Sequence, residues 1–126
     1  MAELEHVNVT VSNIDKTTAW MKDVFDWHIR WDGIDMGGNG NTVHIGTDGS
    51  YLALYCPHRG TMPFVDGVAQ VGSLNHIAVT VDDLDGVEAK VRAKEFHVIN
   101  PEPYDPGRRF YFFDQDTIEF EVVTYG

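Results

Sequence analysis

The segment LNHIAVTVDDLD (Leu74–Asp85) is a second copy of LEHVNVTVSNID (Leu4–Asp15), and the prediction of the fold starts from this pair. Six positions are identical in register, and two more exchange one aliphatic residue for another. The offset between the copies is 76 − 6 = 70 residues, slightly more than half of the 126-residue chain. A long period that occurs only twice is expected of duplicated halves rather than of a solenoid. The sequence therefore predicts two modules of the same fold.

Each copy has the pattern of a strand that runs into a helix. In the first copy, Val7, Val9 and Val11 alternate with polar residues that begin at His6. The second copy repeats this alternation, with His76 in the place of His6. We expect helices to cover the aliphatic face of each strand, so that the histidine lies on the opposite face. Two histidines at equivalent places in a duplicated sheet are then expected to converge on one point.

The rest of the chain completes each half with three further strands. Ser12 opens an S-x-x-[DE] capping box before the first helix, and Asp82 is the predicted cap of the second. The proline- and glycine-containing segment 58–72 separates module 1 (residues 1–57) from module 2 (residues 73–126) within a single domain. The predicted strands are residues 4–11, 28–32, 42–46, 51–56, 74–81, 96–99, 108–113 and 118–124. The predicted fold class is α+β: two βαβββ modules forming a cup-shaped, eight-stranded mixed sheet with the helices on its outer face.

The composition limits the classes of function. Nine basic and twenty acidic residues give a formal charge of 9 − 20 = −11, which repels phosphate backbones and anionic lipid. Nucleic-acid and membrane partners are therefore not expected. No apolar run is long enough to cross a bilayer, and the first residues do not form a secretory signal. Cys56 is the only cysteine, so no intrachain disulfide can form, and a cytoplasmic location is the simplest expectation.

The sequence resembles the vicinal oxygen chelate superfamily, which includes glyoxalases, extradiol dioxygenases, fosfomycin-resistance transferases and bleomycin-resistance proteins. The resemblance rests on the two strand–helix openings and on FYFFDQDTIEF (Phe110–Phe120), which is similar to the family's aromatic-x-D-P-D-G-N-x-I-E-[LF] ending. Gln115 replaces the proline of that ending, and the Gly-Asn pair is missing. The resemblance covers nearly the whole chain and implies two βαβββ modules that close into a cup around one metal.

Carried over by position, the resemblance implies that His6, His76 and Glu119 are ligands of one divalent metal ion. Iron, zinc, nickel and manganese all accept such a set, so the ligands do not name the metal. Glyoxalases of this family take a further ligand from the fourth strand of the first module. The matching place here is predicted to hold Leu52 or Leu54, and neither can bind a metal. The three-ligand set is closer to the dioxygenases and the fosfomycin transferases.

Two further residues are candidates for catalysis. Glu121 alternates onto the same face as Glu119, so it is either a substitute ligand or a proton acceptor on the pocket wall. Tyr111 stands at about the place where extradiol dioxygenases carry a tyrosine, and a position in the core is the alternative. The histidine that those enzymes carry a few residues earlier has no counterpart between residues 103 and 109.

Three residues are candidates for contact with the substrate. Arg109 can pair with a carboxylate or phosphate group, although a surface acid is an equally good partner. Trp31 and Tyr55 can line the pocket, and a place in the core is the alternative for each. His44 and His58 are expected to be solvated rather than functional.

The function that follows is a divalent-metal-dependent enzyme of the glyoxalase or dioxygenase type, acting on a small substrate that chelates the metal through adjacent oxygens. Isomerisation, ring-opening oxygenation and addition to an epoxide all remain open. The alternative is a non-catalytic, small-molecule-sequestering protein of the bleomycin-resistance type. A homodimer is expected, since dimers are common among the look-alikes, and the linker leaves room for exchange of modules between chains.

Overall fold

The computed structural model describes all of residues 1–126 and contains the predicted β-α-β-β-β order twice. The α+β class is confirmed, and the eight strands form two four-stranded mixed sheets, ordered β1-β4-β3-β2 and β5-β8-β7-β6. The elements are β1 His6–Thr10, α1 Ile14–Phe25, β2 His28–Ile34, β3 Gly40–Gly46, β4 Tyr51–Pro57, β5 Ile77–Thr80, α2 Leu84–Ala93, β6 His97–Ile99, β7 Arg108–Phe113 and β8 Glu119–Thr124.

The chain divides into two compact units, Met1–Pro63 and Phe64–Gly126, and the boundary between them falls inside the predicted linker 58–72. The names module 1 and module 2 are kept for the two halves. In each module the first strand lies at the edge of the sheet and pairs in parallel with the last strand, while the other pairs are antiparallel. No helix of the structure has both the length and the apolar character that crossing a membrane requires.

The N-terminal cap of each helix lies one residue later than predicted. Asn13 rather than Ser12 caps α1, and Asp83 rather than Asp82 caps α2. Each cap accepts a hydrogen bond from the backbone N–H three residues later, at 3.0 Å in both helices. Ser12-Asn13 and Asp82-Asp83 each offer two consecutive residues able to cap. Local sequence therefore does not distinguish the residue that is used from its neighbour.

The core of module 2 lies between its sheet and α2. The buried face of the sheet is aromatic, because Phe110 and Phe112 on β7 and Phe120 on β8 alternate inward and are fully buried. Phe112 stacks on Phe120 with 5.1 Å between ring centroids. Leu84 and Val91 are the buried residues of α2. The period-two pattern of β8, which put Phe120 on the face opposite Glu119 and Glu121, is therefore confirmed.

The core of module 1 lies between its sheet and α1. Met21, Val24 and Phe25 are buried on one side of α1. Trp20 is also buried and packs edge-on against Phe25 at 5.4 Å. The sheet contributes buried aliphatic side chains to the same core, namely those of Val11, Val43, Ile45, Leu52 and Leu54.

Candidate functional site

The strand register of module 2 puts His76 and two glutamates on one face of the sheet. In the parallel β5–β8 pair, Ile77 lies opposite Phe120, and His76 and Glu119 are the residues that precede this pair. Side chains alternate across a strand, so Glu119 and Glu121 share one face, opposite the buried ring of Phe120. We call the face that carries His76, Glu119 and Glu121 the open face of module 2.

Glu121 is the partner of His76 in this structure. His76 Nε2 lies 3.0 Å from Glu121 Oε1, and Arg109 Nη1 donates to Glu121 Oε2 at 2.9 Å. The side chains of Arg109 and Glu121 are only 9% and 11% exposed, so the pair is held away from bulk water. A buried carboxylate requires such compensation. Each oxygen of the Glu121 carboxylate is therefore engaged by one positively charged or N–H-bearing side chain.

Arg109 is held within module 2 on several sides. Its guanidinium lies over the ring of Tyr104, 4.2 Å from the centroid, and Nη2 donates to the carbonyl oxygen of Pro106. Nε is buried and has no hydrogen-bond partner. Burial acts to lower the pKa of Arg109, but the hydrogen bond to Glu121 and the charges of Tyr104, Glu121 and Tyr125 together outweigh it, and the pKa lies above its ordinary value. Arg109 therefore remains charged and holds Glu121 in place.

Tyr111 borders the same group of side chains. It lies opposite Glu121 on the neighbouring strand, and its ring meets the ring of His76 edge-on at 5.9 Å. The hydroxyl groups of Tyr111 and Tyr104 are 3.0 Å apart. This hydrogen bond, followed by burial and the charge of Glu121, raises the pKa of Tyr111 to about 12. At neutral pH Tyr111 is therefore a protonated phenol and does not act as a base.

Replacing Tyr104 by phenylalanine should lower the pKa of Tyr111, because the bond that stabilises the protonated phenol is lost. In the wild-type protein this contribution to stability is fully present below pH 10 and disappears as the pH rises through about 12. NMR titration of the tyrosine Cζ resonances measures the shift. Tyr125→Phe, at an exposed tyrosine, is the control and should leave Tyr111 unchanged. Identical Tyr111 titration curves in wild type and Tyr104→Phe would contradict the assignment.

In module 1 the residue opposite His6 is Tyr51, and the prediction that named Leu52 or Leu54 is wrong. The parallel β1–β4 register pairs His6 with Tyr51 and Val7 with Leu52. Leu52 and Leu54 are buried in the core on the helix side. Since Ile77 pairs with Phe120 in module 2, Tyr51 is the counterpart of Glu119 in the repeat. Module 1 therefore has no carboxylate at this place. The fourth ligand of the glyoxalase pattern is missing because the matching residue is Tyr51, not because it is a leucine.

Four rings form a continuous aromatic cluster on the same face of module 1 as His6. Tyr51 stacks on His6 with 4.9 Å between centroids, and His44 stacks on Tyr51 at 4.7 Å. Trp31 lies 5.1 Å from His44 and is 48% exposed. Arg30 lies over the Tyr51 ring, 4.3 Å from its centroid. We call His6, Tyr51, His44 and Trp31 the aromatic cluster of module 1.

His44 is the functional candidate that sequence reasoning missed. It was expected to be solvated, but its ring is packed within the aromatic cluster. Burial, followed by the charges of His6 and Arg30, lowers the pKa of His44 below its ordinary value. Alternation along β3 puts His44 in phase with Thr42 but does not identify its neighbours. Only the pairing of His44 with Ala53 and Trp31 shows that it lies in this cluster.

Tyr55 lies apart from the aromatic cluster. It follows Tyr51 by four residues on β4, which at about 3.3 Å per residue separates the two backbones by about 13 Å. Its ring packs against Gly40, where a Cβ atom would come within 2.7 Å of the ring. Of the two predicted aromatic contacts with the substrate, Trp31 therefore lies in the cluster with His6 and Tyr55 does not.

The donor atoms of these faces suit a divalent metal. Module 2 presents an imidazole and two carboxylates on its open face, and module 1 presents the imidazole of His6. Nitrogen and carboxylate oxygen are the usual ligands of zinc, iron, nickel and manganese. Within neither module do three His, Cys, Asp or Glu side chains come together as a group able to hold a metal.

Comparison with solved structures shows the same fold in proteins of low sequence identity. A glyoxylase/bleomycin resistance protein/dioxygenase domain from Frankia sp. EAN1pec is 20% identical, with a TM-score of 0.83 and coverage of 100% of this chain and 99% of that one. The fosfomycin resistance protein FosX from Listeria monocytogenes is 21% identical (TM-score 0.77, coverage 100% and 95%). Glyoxalase I from Leishmania major is 16% identical (TM-score 0.79, coverage 99% and 88%).

The family follows from the sequence match. No curated protein matches the chain. The model of the Glyoxalase/Bleomycin resistance protein/Dioxygenase superfamily matches residues 3–122, which include every helix and all but the end of the last strand. The chain therefore belongs to the glyoxalase/bleomycin resistance protein/dioxygenase superfamily.

Proposed function

We propose that this protein is a divalent-metal-dependent enzyme that acts on a small substrate with two adjacent oxygens. The proposed metal ligands are His6 from module 1 and His76 and Glu119 from module 2. The observation that supports the proposal most is the open face of module 2, where His76 contacts Glu121 and Glu119 lies on the same face of β8. His6 occupies the equivalent place in the repeat, at the start of β1.

The superfamily includes metalloenzymes, and one FosX structure is a complex with Mn(II) and 1S,2S-dihydroxypropylphosphonic acid. Two imidazoles and one carboxylate leave coordination positions open for a substrate. A metal bound there would supply Lewis-acid polarisation of the substrate oxygens. Iron, zinc, nickel and manganese are all within the proposal.

The side chains around Glu119 have distinct proposed roles. Glu121 is the proposed proton acceptor, and its carboxylate is held in place by His76 and Arg109. Tyr111 is the proposed hydrogen-bond donor to the substrate, because its phenol stays protonated. Arg109 is the proposed contact for an anionic substrate group. Two of its five N–H groups are engaged within module 2, by Glu121 and by the carbonyl oxygen of Pro106.

Trp31 and Tyr55 complete the proposed contacts with the substrate. The half-exposed ring of Trp31, backed by His44, can stack against a flat part of a ligand. Tyr55 lies on the same face of β4 as Tyr51 and can reach only a larger substrate.

Elemental analysis of protein purified without added metal is the first test. We expect a stoichiometric transition metal, and turnover of one substrate class in a panel of glutathione hemithioacetals, catechols and epoxides assayed with Fe(II), Zn, Ni and Mn. Loss of that turnover after chelation, and its return with one of the four metals, would complete the support. A metal-free protein that binds a flat aromatic ligand without turnover would overturn the proposal and indicate a sequestering protein.

We also propose a homodimer in the cytoplasm. Segment 58–72 and its neighbours expose several large apolar side chains, namely Met62, Phe64, Val65, Val68, Val71 and Leu74. Exposed apolar groups of this kind often mark interaction surfaces. The free thiol of Cys56 is compatible with a reducing compartment. Light scattering that gives a monomer mass at all concentrations would contradict the dimer.

A further inference from the structure

We infer that Glu5 is a positioning residue that fixes the His6 imidazole as its Nδ1–H tautomer and leaves Nε2 free to bind a metal. The part of this inference that concerns metal rests on the proposed function. The orientation of the ring does not, and it can be measured in the metal-free protein.

The tautomer follows from the chemistry of the partner. His6 Nδ1 lies 2.9 Å from Glu5 Oε1. An ionised carboxylate can only accept hydrogen bonds, so Nδ1 must carry the proton of the neutral ring and Nε2 keeps its lone pair. Histidines that bind metals commonly donate their other N–H to a carboxylate in this way, which fixes the ring and raises its basicity as a ligand.

Glu5 is itself held, although its side chain is largely exposed. The hydroxyl of Tyr51 donates to the same Oε1 atom at 3.2 Å. The backbone N–H of Tyr51 donates to the carbonyl oxygen of Glu5 at 3.1 Å. The Tyr51 ring also lies nearly parallel to the His6 ring, with an interplanar angle of 13°. Tyr51 therefore restrains both the Glu5 carboxylate and the His6 imidazole. Arg30 in turn lies over the Tyr51 ring.

The repeat supplies a second, independent observation. Asn75 precedes His76 as Glu5 precedes His6, and Asn75 Oδ1 lies 2.6 Å from His76 Nδ1. A side-chain oxygen of the preceding residue therefore meets Nδ1 in both modules, although the residue types differ. The two histidines differ at Nε2, because that atom of His76 is engaged by Glu121. The preceding residue thus orients the ring in both modules. That residue is a carboxylate (Glu5) in module 1 and an amide (Asn75) in module 2.

The direct test reads the His6 tautomer by ¹⁵N NMR in metal-free protein, at a pH where the ring is neutral. In the wild type we expect a pyrrole-like Nδ1 and a pyridine-like Nε2. Glu5→Ala should shift the population toward the Nε2–H form, while Glu5→Gln, whose amide oxygen still accepts, should largely restore the wild-type pattern. Tyr51→Phe keeps the ring but removes the hydroxyl, and it should give an intermediate shift. An unchanged His6 tautomer in Glu5→Ala would overturn the inference.

Calorimetric titration with Zn²⁺ supplies the second readout. Loss of a supporting residue of this kind typically weakens metal binding by about 10–100-fold, and we expect a loss in that range for Glu5→Ala and a smaller one for Glu5→Gln. Asp48→Ala is the matched control, because Asp48 is an exposed carboxylate 3.2 Å from His28 and should not affect Zn²⁺ affinity.

The two readouts separate the inference from the proposed function. If wild type binds no Zn²⁺ while Glu5→Ala still shifts the His6 tautomer, the metal proposal fails and the positioning of the ring by Glu5 stands. If wild type binds Zn²⁺ and Glu5→Ala binds it equally well, Glu5 does not position a ligand, whatever its effect on the tautomer. If Asp48→Ala binds Zn²⁺ as tightly as wild type while Glu5→Ala binds it more weakly, the result supports both the metal proposal and the positioning role of Glu5.

Discussion

Replacing His76 by alanine should weaken Zn²⁺ binding by more than the roughly 10–100-fold expected for loss of a supporting residue, because a proposed ligand is removed outright. The same change also takes away the group that engages Glu121 Oε1 at 3.0 Å. Calorimetric titration and elemental analysis of the purified variant measure the loss. Turnover of any substrate identified for the wild type should fall with the metal content.

His28→Ala is the matched control, since it removes an exposed histidine whose recorded partner is Asp48. Its metal content and affinity should equal those of the wild type. If His76→Ala retains wild-type metal content and affinity, His76 is not a ligand. Equal losses in both variants would point to general damage to the fold and would also contradict the assignment.

A comparison of Glu119→Gln with Glu121→Gln separates the two carboxylates on the open face. If Glu119 is the ligand, Glu119→Gln should weaken Zn²⁺ binding strongly, while Glu121→Gln should mainly lower turnover. The structure makes this comparison informative, because Glu121 and not Glu119 contacts His76 and Arg109. The reverse order of affinities would assign the metal to Glu121.

Replacing Phe112 by alanine should lower the free energy of unfolding by about 3–5 kcal/mol, the usual loss for a buried phenylalanine in a packed core. Phe112 is 0% exposed and stacks between Phe96, at 5.9 Å, and Phe120, at 5.1 Å. The cavity left behind would lie between the sheet of module 2 and α2. Urea unfolding followed by circular dichroism measures the change.

Phe64→Ala makes the same chemical change at a side chain that is 55% exposed, and it should alter stability by no more than about 0.5 kcal/mol. A domain of this size has only about 5–15 kcal/mol of stability, so Phe112→Leu, which keeps most of the buried volume, provides a milder variant. It should fall between wild type and Phe112→Ala. Equal stability of Phe112→Ala and Phe64→Ala would contradict the described core.

Much of the fold could be predicted because the informative patterns are local. The duplicated strand–helix openings predicted two modules, and alternation along β8 placed Phe120 on the face opposite Glu119 and Glu121. The helix caps were predicted one residue early because two adjacent residues can each cap, and local pattern does not distinguish them.

The candidate site was harder to predict because it depends on register. A shift of one residue moves every side chain of a strand to the other face, and that is the error that placed Leu52 rather than Tyr51 opposite His6. His44 was predicted to be solvated for a related reason, since the sequence of β3 does not indicate that Trp31 and Tyr51 flank it.

Periodicity within short segments was thus enough to establish two βαβββ modules, but not the burial of the aliphatic face of β1, where Val7 is 40% exposed. The partners of the polar side chains required the folded chain: Glu121 for His76, and Tyr51 for both Glu5 and His6. These contacts join residues about 45 positions apart. Which atoms meet is settled by strand pairing and side-chain packing across that distance, and no stretch of adjacent residues encodes it.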